Sequence, residues 1–294
     1  MMRPNLTNIT VAIIVAIVIM AVGAFFYVNS NQAEPVISPM SLPKAGAIHV
    51  IIGKSVEGRA IDSYTYGTGP IHLLFVGGIH GGYEWNSVLL AYKYLDYLEV
   101  NPDAVPTNFT VSIIPSANPD GVFAVTGKEG RFSISDVSTD EKVLAAGRFD
   151  ANKVDLNRNF DCKWQAKSTW QSKTVSAGKT AFSEPETQAL RDFIREYKPR
   201  TVVFWHSQSN AVYASQCENG ILPGTLDIMN AYSKASGYPA VKTFDAYATT
   251  GAADDWLASQ DIPAITVELS THDTIEWDRN LAGIKALLGY FGKK

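Results

Sequence analysis

Cysteine is nearly absent from this chain: two residues, Cys162 and Cys217, in 294. That excludes a scaffold held together by many disulfides, and leaves one pair that is either bridged or two buried thiols. Basic runs are missing as well. The net charge is −4 and the isoelectric point about 5.8, with no interleaving of aromatic and basic residues, so nucleic acid is excluded as a partner. Charge is sparse overall, at 18% of residues against 46% hydrophobic, which is ordinary globular usage. There is no internal repeat.

One stretch carries no charge at all. Residues 9–28 are uncharged and largely apolar, broken by Thr10 and Gly23, and about 20 such residues are what a helix needs to cross a bilayer. We expect a transmembrane helix there. Arg3 lies before it, and no Lys or Arg follows until Lys44, so residues 1–8 are expected in the cytoplasm and everything beyond outside the membrane. A cleaved signal peptide, giving a secreted protein, is the alternative; the run is longer than the usual core of about 7–15 residues. Residues 29–47, with Pro35, Pro39 and Pro43 and no periodicity, read as a stalk.

Residues 48–294 are long enough for one α/β domain with a substantial core. Residues 49–52 and 60–66 read as a hairpin, and 71–76, 109–114, 201–205 and 263–269 as buried strands. Helices are expected over 85–98, from Ser183-Glu184-Pro185-Glu186 to about 197 with Ser183 as cap, over 225–236 and over 275–290. Asn118-Pro119-Asp120-Gly121 reads as a turn, and residues 127–179 as one long functional loop. Strands alternating with helices give a mixed, mostly parallel sheet flanked by helices.

Polar chemistry is placed where the apolar runs stop. His80 and Glu84 lie in the glycine-rich GGIHGGYEWN after the run 71–76, His206 ends VVFWH, and Glu268 lies near the end of the run 262–269. Ligands bind beyond the carboxyl ends of strands in open α/β sheets. His80, Glu84 and His206 are therefore the candidate ligands of one catalytic Zn2+, which takes three protein ligands and leaves a position for water. Glu268, in an apolar strand, suits a general base, because burial raises a carboxylate pKa. Asn157 and Arg158 in VDLNRNF offer donors matched to a substrate carboxylate, and Arg148 offers positive charge for a developing oxyanion. His49, His72 and His272 read as ordinary core or surface histidines.

Together these stretches resemble the zinc metallocarboxypeptidases of the carboxypeptidase A type, from GKSVEGR (residues 53–59) through NPDG, NRN and SEPET to Glu268. The resemblance implies that His80, Glu84 and His206 bind zinc and that Asn157 and Arg158 hold the terminal carboxylate. It further implies that Arg148 polarises the scissile carbonyl, that Tyr247 closes over the substrate and that Glu268 is the base. One feature departs from the pattern: the first motif is usually His-x-x-Glu, and here one more residue separates His80 from Glu84, which is expected to bulge the glycine loop. The family's specificity position falls on Asp254. An acid there favours Lys, Arg or a diaminopimelate-like end; alternatively Asp254 caps the helix that follows.

The expected function is that of a membrane-anchored, extracytoplasmic zinc carboxypeptidase. Its partner would be a peptide or cell-wall stem peptide with a free C-terminal carboxylate. Two alternatives differ in class or in bond cleaved: a non-catalytic binding module that keeps the fold, favoured only by the longer first motif, and a zinc amidohydrolase acting on N-acyl amino acids.

Overall fold

Two apolar runs form the centre of the sheet, Ile71–Val76 as β3 and Thr201–Ser207 as β7. Every residue of β7 is buried, and neither run alternates, because both faces of the sheet are covered. In this computed structural model, which describes residues 46–293, β3 and β7 pair in parallel with Phe75 beside Val203. β4 (Phe109–Ile114) lies parallel on the far side of β3, and β10 (Ala264–Leu269) parallel on β7. The flanks are largely antiparallel: β1 (Ile48–Lys54) and β2 (Ala60–Tyr66) on one side, β8 (Ala211–Ala214) against β10 on the other, with β9 (Ala240–Val241) at the edge. The order is β1-β2-β4-β3-β7-β10-β8-β9, the mixed sheet expected from the alternation of elements.

Successive side chains on a strand point to opposite faces, and this sorts the core into two layers. Phe75, Val203, Trp205, Ile265 and Val267 face one layer. It is built with α1 (Trp85–Val100), α5 (Pro223–Ser236) and α7 (Trp277–Phe291). Leu74, Val76, Val202, Phe204 and Ala264 face the other layer, with Leu190 and Phe193 of α4 (Pro185–Tyr197) and Trp256 of α6 (Ala253–Ser259). His206 and Glu268 continue the second set of alternate positions, at the carboxyl ends of two adjacent parallel strands. The register sets them side by side, Glu268 opposite His206.

Several local expectations are corrected. Asn118 to Gly121 is not a free turn but the start of α2 (Pro119–Thr126), where the Asn118 side chain accepts from Gly121 N at 2.8 Å. Ser183 does not cap α4. Glu184 occupies the cap position without a side-chain cap bond, and Ser183 Oγ donates to Glu184 Oε1 at 2.6 Å. The stretch 127–179 is not one loop: it contains α3 (Glu141–Ala146) and a separate hairpin, β5 (Lys167–Trp170) with β6 (Lys173–Ser176). Strand β7 runs on to Ser207, so His206 lies within it. Cys162 and Cys217 are bridged, with Cα atoms 6.0 Å apart. The expected membrane helix, and the stalk up to residue 45, lie outside the described residues. Among the described residues no helix is long and apolar enough to cross a membrane.

Candidate active site

Beyond β3 the chain must bend sharply and stay close to its neighbours, and glycine permits both. Gly81 has φ of +49°, and a Cβ there would meet Gly147 O at 2.4 Å. Residues Gly81–Glu84 wind into a single 3-10 turn with His80 before it. That turn absorbs the extra residue between His80 and Glu84 and returns Glu84 to the sheet end. One ligand atom each from His80, Glu84 and His206 lies within 4.8 Å of the others, and all three residues are buried. His206 Nδ1 is 3.0 Å from Glu84 Oε2. His80 Nδ1 is buried without a hydrogen-bond partner; Asp155 Oδ1 stands 3.4 Å away, at ion-pair rather than hydrogen-bond range. Two imidazoles, one of them with an orphaned buried nitrogen, and one carboxylate are a donor set that fits zinc.

Electrostatics favour the ligating forms of His80 and Glu84, whereas at His206 burial is outweighed by Glu84, which raises the imidazole pKa. Burial pushes the His80 imidazole down to about 4, with Arg148 adding to the effect. Burial works against ionisation of Glu84, but His80, His206 and Arg148 outweigh it and hold the carboxyl near 2. Glu268 is different. Burial, then the nearby Glu84 carboxylate, lifts it to about 7, while its side chain stays partly open to the cleft and its Oε2 accepts from Ser209 N at 3.2 Å. A carboxyl poised there can exchange a proton near neutral pH.

The arginines are fixed through Asp155, which is fully buried. Its Oδ2 accepts from Arg148 Nε at 2.9 Å and its Oδ1 from Asn157 N at 3.2 Å. Burial opposes its ionisation, but Arg148, His80 and Arg158 hold its carboxyl far below the usual range. The hairpin β5–β6 supplies the outer wall. The Arg148 guanidinium lies 4.7 Å from the Trp170 ring centre, and Arg158 Nε donates to Thr169 O at 3.2 Å. Arg158 also donates through Nη1 to Asn157 O at 2.6 Å. Asn157 Oδ1 accepts from Ala253 N at the start of α6 at 2.9 Å, which turns its amide so that Nδ2 is the end offered to the cleft.

All nine residues singled out from the sequence line one cavity of about 250 Å³: His80, Glu84, Arg148, Asn157, Arg158, His206, Tyr247, Asp254 and Glu268. Tyr247 sits on the loop before α6, its ring 4.9 Å from that of Phe244. Asp254 does not cap α6, which has no side-chain cap; its Oδ2 accepts from Thr266 Oγ1 at 3.1 Å, on β10. His49, paired with Asp62 at 2.7 Å, and His72, bonded to Ser112 Oγ at 2.8 Å, stand away from the site. His272 does not: it lines the cavity and bonds Ser207 Oγ at 2.7 Å. Sequence reasoning also gave no role to Asp155, Tyr83, Trp170 or Ser207. Asp155 was within reach of it, since the residue heads the same short run that carries Asn157 and Arg158.

A family model described as zinc carboxypeptidase matches residues 44–279. The chain is 24% identical over 240 residues to gamma-D-glutamyl-L-diamino acid endopeptidase 1 of Lysinibacillus sphaericus, covering 75% of this chain but 60% of that protein. It is 28% identical over 247 residues to a zinc carboxypeptidase of Simulium vittatum, covering 76% and 79%. Among solved structures, the murein-tripeptide amidase of Escherichia coli O157 superposes with a TM-score of 0.59 at 23% identity, over 87% of this chain and 96% of that one. Bovine thrombin-activatable fibrinolysis inhibitor superposes with a TM-score of 0.65 at 20% identity, over 84% and 91%. The last two are likenesses of fold.

Proposed function

The chain belongs to the zinc carboxypeptidase family, and from that premise we propose that it removes the C-terminal residue of peptides or cell-wall stem peptides whose last residue carries a second basic group. The observation that carries this reading is the presence in one cavity of donors for a carboxylate and an acid for a basic group. Asn157 Nδ2 and the outer N–H groups of Arg158 suit a terminal carboxylate. Asp254, held to β10 by Thr266, suits a lysine, arginine or diamino acid side chain. One relative agrees in chemistry: the Lysinibacillus protein is named for a diamino acid bond.

His80, Glu84 and His206 would hold zinc, which supplies Lewis-acid polarisation of the scissile carbonyl and lowers the pKa of water. Glu268 accepts the proton of the attacking water and returns it to the leaving amine. Arg148, with Nε committed to Asp155, turns its remaining N–H groups toward the carbonyl oxygen as charge develops there. Tyr247 covers the leaving residue. A binding module without catalysis loses its support, because the longer first motif still brings Glu84 to the cluster.

We propose that residues 9–28 anchor the catalytic domain outside the membrane. This rests on the apolar run and on the single Arg3 before it. Fractionation of the full chain against one beginning at residue 45 tests it: both soluble, with an intact amino terminus, would overturn the anchor.

The test of substrate is a panel of blocked dipeptides differing only in the last residue, with a stem peptide included. Lysine, arginine and diaminopimelate ends should be preferred, and Asp254→Asn should remove about 10- to 100-fold of that preference. Equal cleavage of alanine and lysine ends would overturn the basic-end reading. Cleavage of simple N-acyl amino acids but not of peptides would favour an amidohydrolase.

A further inference from the structure

A chain of hydrogen bonds fixes the protonation of His272. Asn86 spends both amide hydrogens on backbone carbonyls, Nδ2 to Thr271 O at 2.7 Å and to Thr274 O at 2.9 Å. Its Oδ1 therefore faces Ser207, whose hydroxyl donates to it at 2.9 Å. With that hydrogen committed, the Ser207 oxygen can only accept in its 2.7 Å contact with His272 Nδ1. So Nδ1 carries the proton, and Nε2 of the neutral ring is a bare lone pair. Burial lowers the pKa of this imidazole, which keeps it neutral at pH 7; Glu84 and Asp273 act to raise it, and Arg148 to lower it further. Tyr83 packs against the ring at 4.8 Å between centres.

The position of this lone pair relative to the metal cluster follows from strand register. Asp254 is tied to Thr266, two residues before Glu268, and His272 to Ser207, one residue after His206. Glu268 and His206 are level. Asp254 and His272 therefore lie on opposite sides of that pair along the strand direction. If the leaving residue occupies the Asp254 side, as the proposed peptidase reading on which this rests requires, the acyl half of the substrate passes His272. That half of a peptide presents a backbone N–H next to the scissile carbonyl, and among the described residues Nε2 of His272 has no protein partner to compete for it.

We propose that His272 is a substrate-binding residue for the acyl half of the peptide, accepting a hydrogen bond from its backbone N–H at Nε2. The test uses the zinc-loaded full chain with acetyl-alanyl-lysine and with the analogue methylated at the alanine nitrogen. In the wild type, methylation should lower kcat/KM by about 3- to 10-fold, mostly through KM. His272→Leu should lose a similar factor on the N–H peptide and nothing more on the methylated one. His272→Gln, which offers a carbonyl acceptor, should recover part of the loss. Equal losses on both peptides in His272→Leu would mean a structural role and overturn the proposal. Imidazole 15N NMR gives a readout apart from turnover. Nε2 should resonate as unprotonated and shift when the N–H peptide is added, but not with the methylated one. A proton on Nε2, or no selective shift, overturns the proposal. If the wild type cleaves neither peptide, the peptidase reading fails, and the NMR result still answers for His272.

Discussion

Arg148 Nε donates to Asp155 Oδ2 across 2.9 Å, with both side chains buried. The same carboxylate stands 3.4 Å from His80, so one aspartate orients a proposed metal ligand and a proposed carbonyl-binding arginine together. Asp155→Asn keeps the shape and removes the charge. Breaking a buried pair from one side costs about 3–5 kcal/mol, and removing a group that orients a ligand weakens metal affinity by about 10- to 100-fold. Chelator competition and chemical denaturation should show both losses. An Asp155→Asn protein that binds zinc as tightly as the wild type would remove Asp155 from the metal site.

Glu268→Gln separates chemistry from binding. The proposed base is lost while the strand and the cleft are kept, so zinc content and peptide affinity should hold. Turnover should fall by about 100- to 10,000-fold. Metal analysis beside steady-state kinetics checks this, and near-normal turnover would exclude Glu268 as the base.

Arg158→Ala should weaken free-acid peptides strongly. Amidating the C-terminus should produce the same loss in the wild type and little further loss in the variant, because both changes remove one contact. A wild type that cleaves free-acid and amidated peptides equally well would end the carboxypeptidase reading.

Stability should fall through Asp150 as pH rises from about 4 to about 8. This side chain is buried, its Oδ1 accepts from Val154 N at 2.7 Å, and its Oδ2 has no partner. Burial, then Glu186 and Glu184, lift the carboxyl to about 8. A carboxyl whose folded pKa lies above its unfolded value holds its proton more tightly when folded. Its contribution is complete below about pH 4 and is lost as pH rises through about 8. Asp150→Asn keeps the acceptor for Val154 and cannot ionise. Denaturation at pH 6 and pH 9 should show a smaller loss in the variant, which should be the more stable at pH 9 by about 1–3 kcal/mol. Identical pH slopes in the two proteins would refute it.

The bridge between Cys162 and Cys217 closes a loop across a separation of 55 residues. Restraint of the unfolded chain by such a loop is worth about 2–4 kcal/mol. Reductant should lower the melting temperature of the wild type and leave a Cys162→Ala, Cys217→Ala protein unchanged. Two alkylatable thiols in protein from its native compartment would contradict the pairing.

The parts of the site that could be read from the sequence are those where long apolar strands deliver a polar side chain to their ends. β3, β7 and β10 are each six or seven residues long, and their lack of alternation marks them as central. Short elements carry no such signal. α3 has six residues and β8 four, too few to display a period. The β5–β6 hairpin hides for a second reason. It turns at Gln171 with φ of +54°, where glycine or asparagine would normally announce a two-residue turn. Trp170 was hidden with it. Asp155 and His272 were missed because their roles are relational: an aspartate before a helical turn is ordinarily a cap, and the tautomer of His272 depends on Asn86, distant in sequence.

That hairpin touches both arginines, Thr169 through its carbonyl to Arg158 and Trp170 through its ring under Arg148. The proposed grip on the terminal carboxylate and the proposed grip on the scissile carbonyl are thus mechanically geared to a single four-residue strand. Changing the length or tilt of β5 cannot retune one without displacing the other. Exchange of hairpins between relatives should consequently move end-group affinity and turnover as one trait, whereas changes at Asp254, anchored separately on β10, leave that gearing intact and are free to diversify.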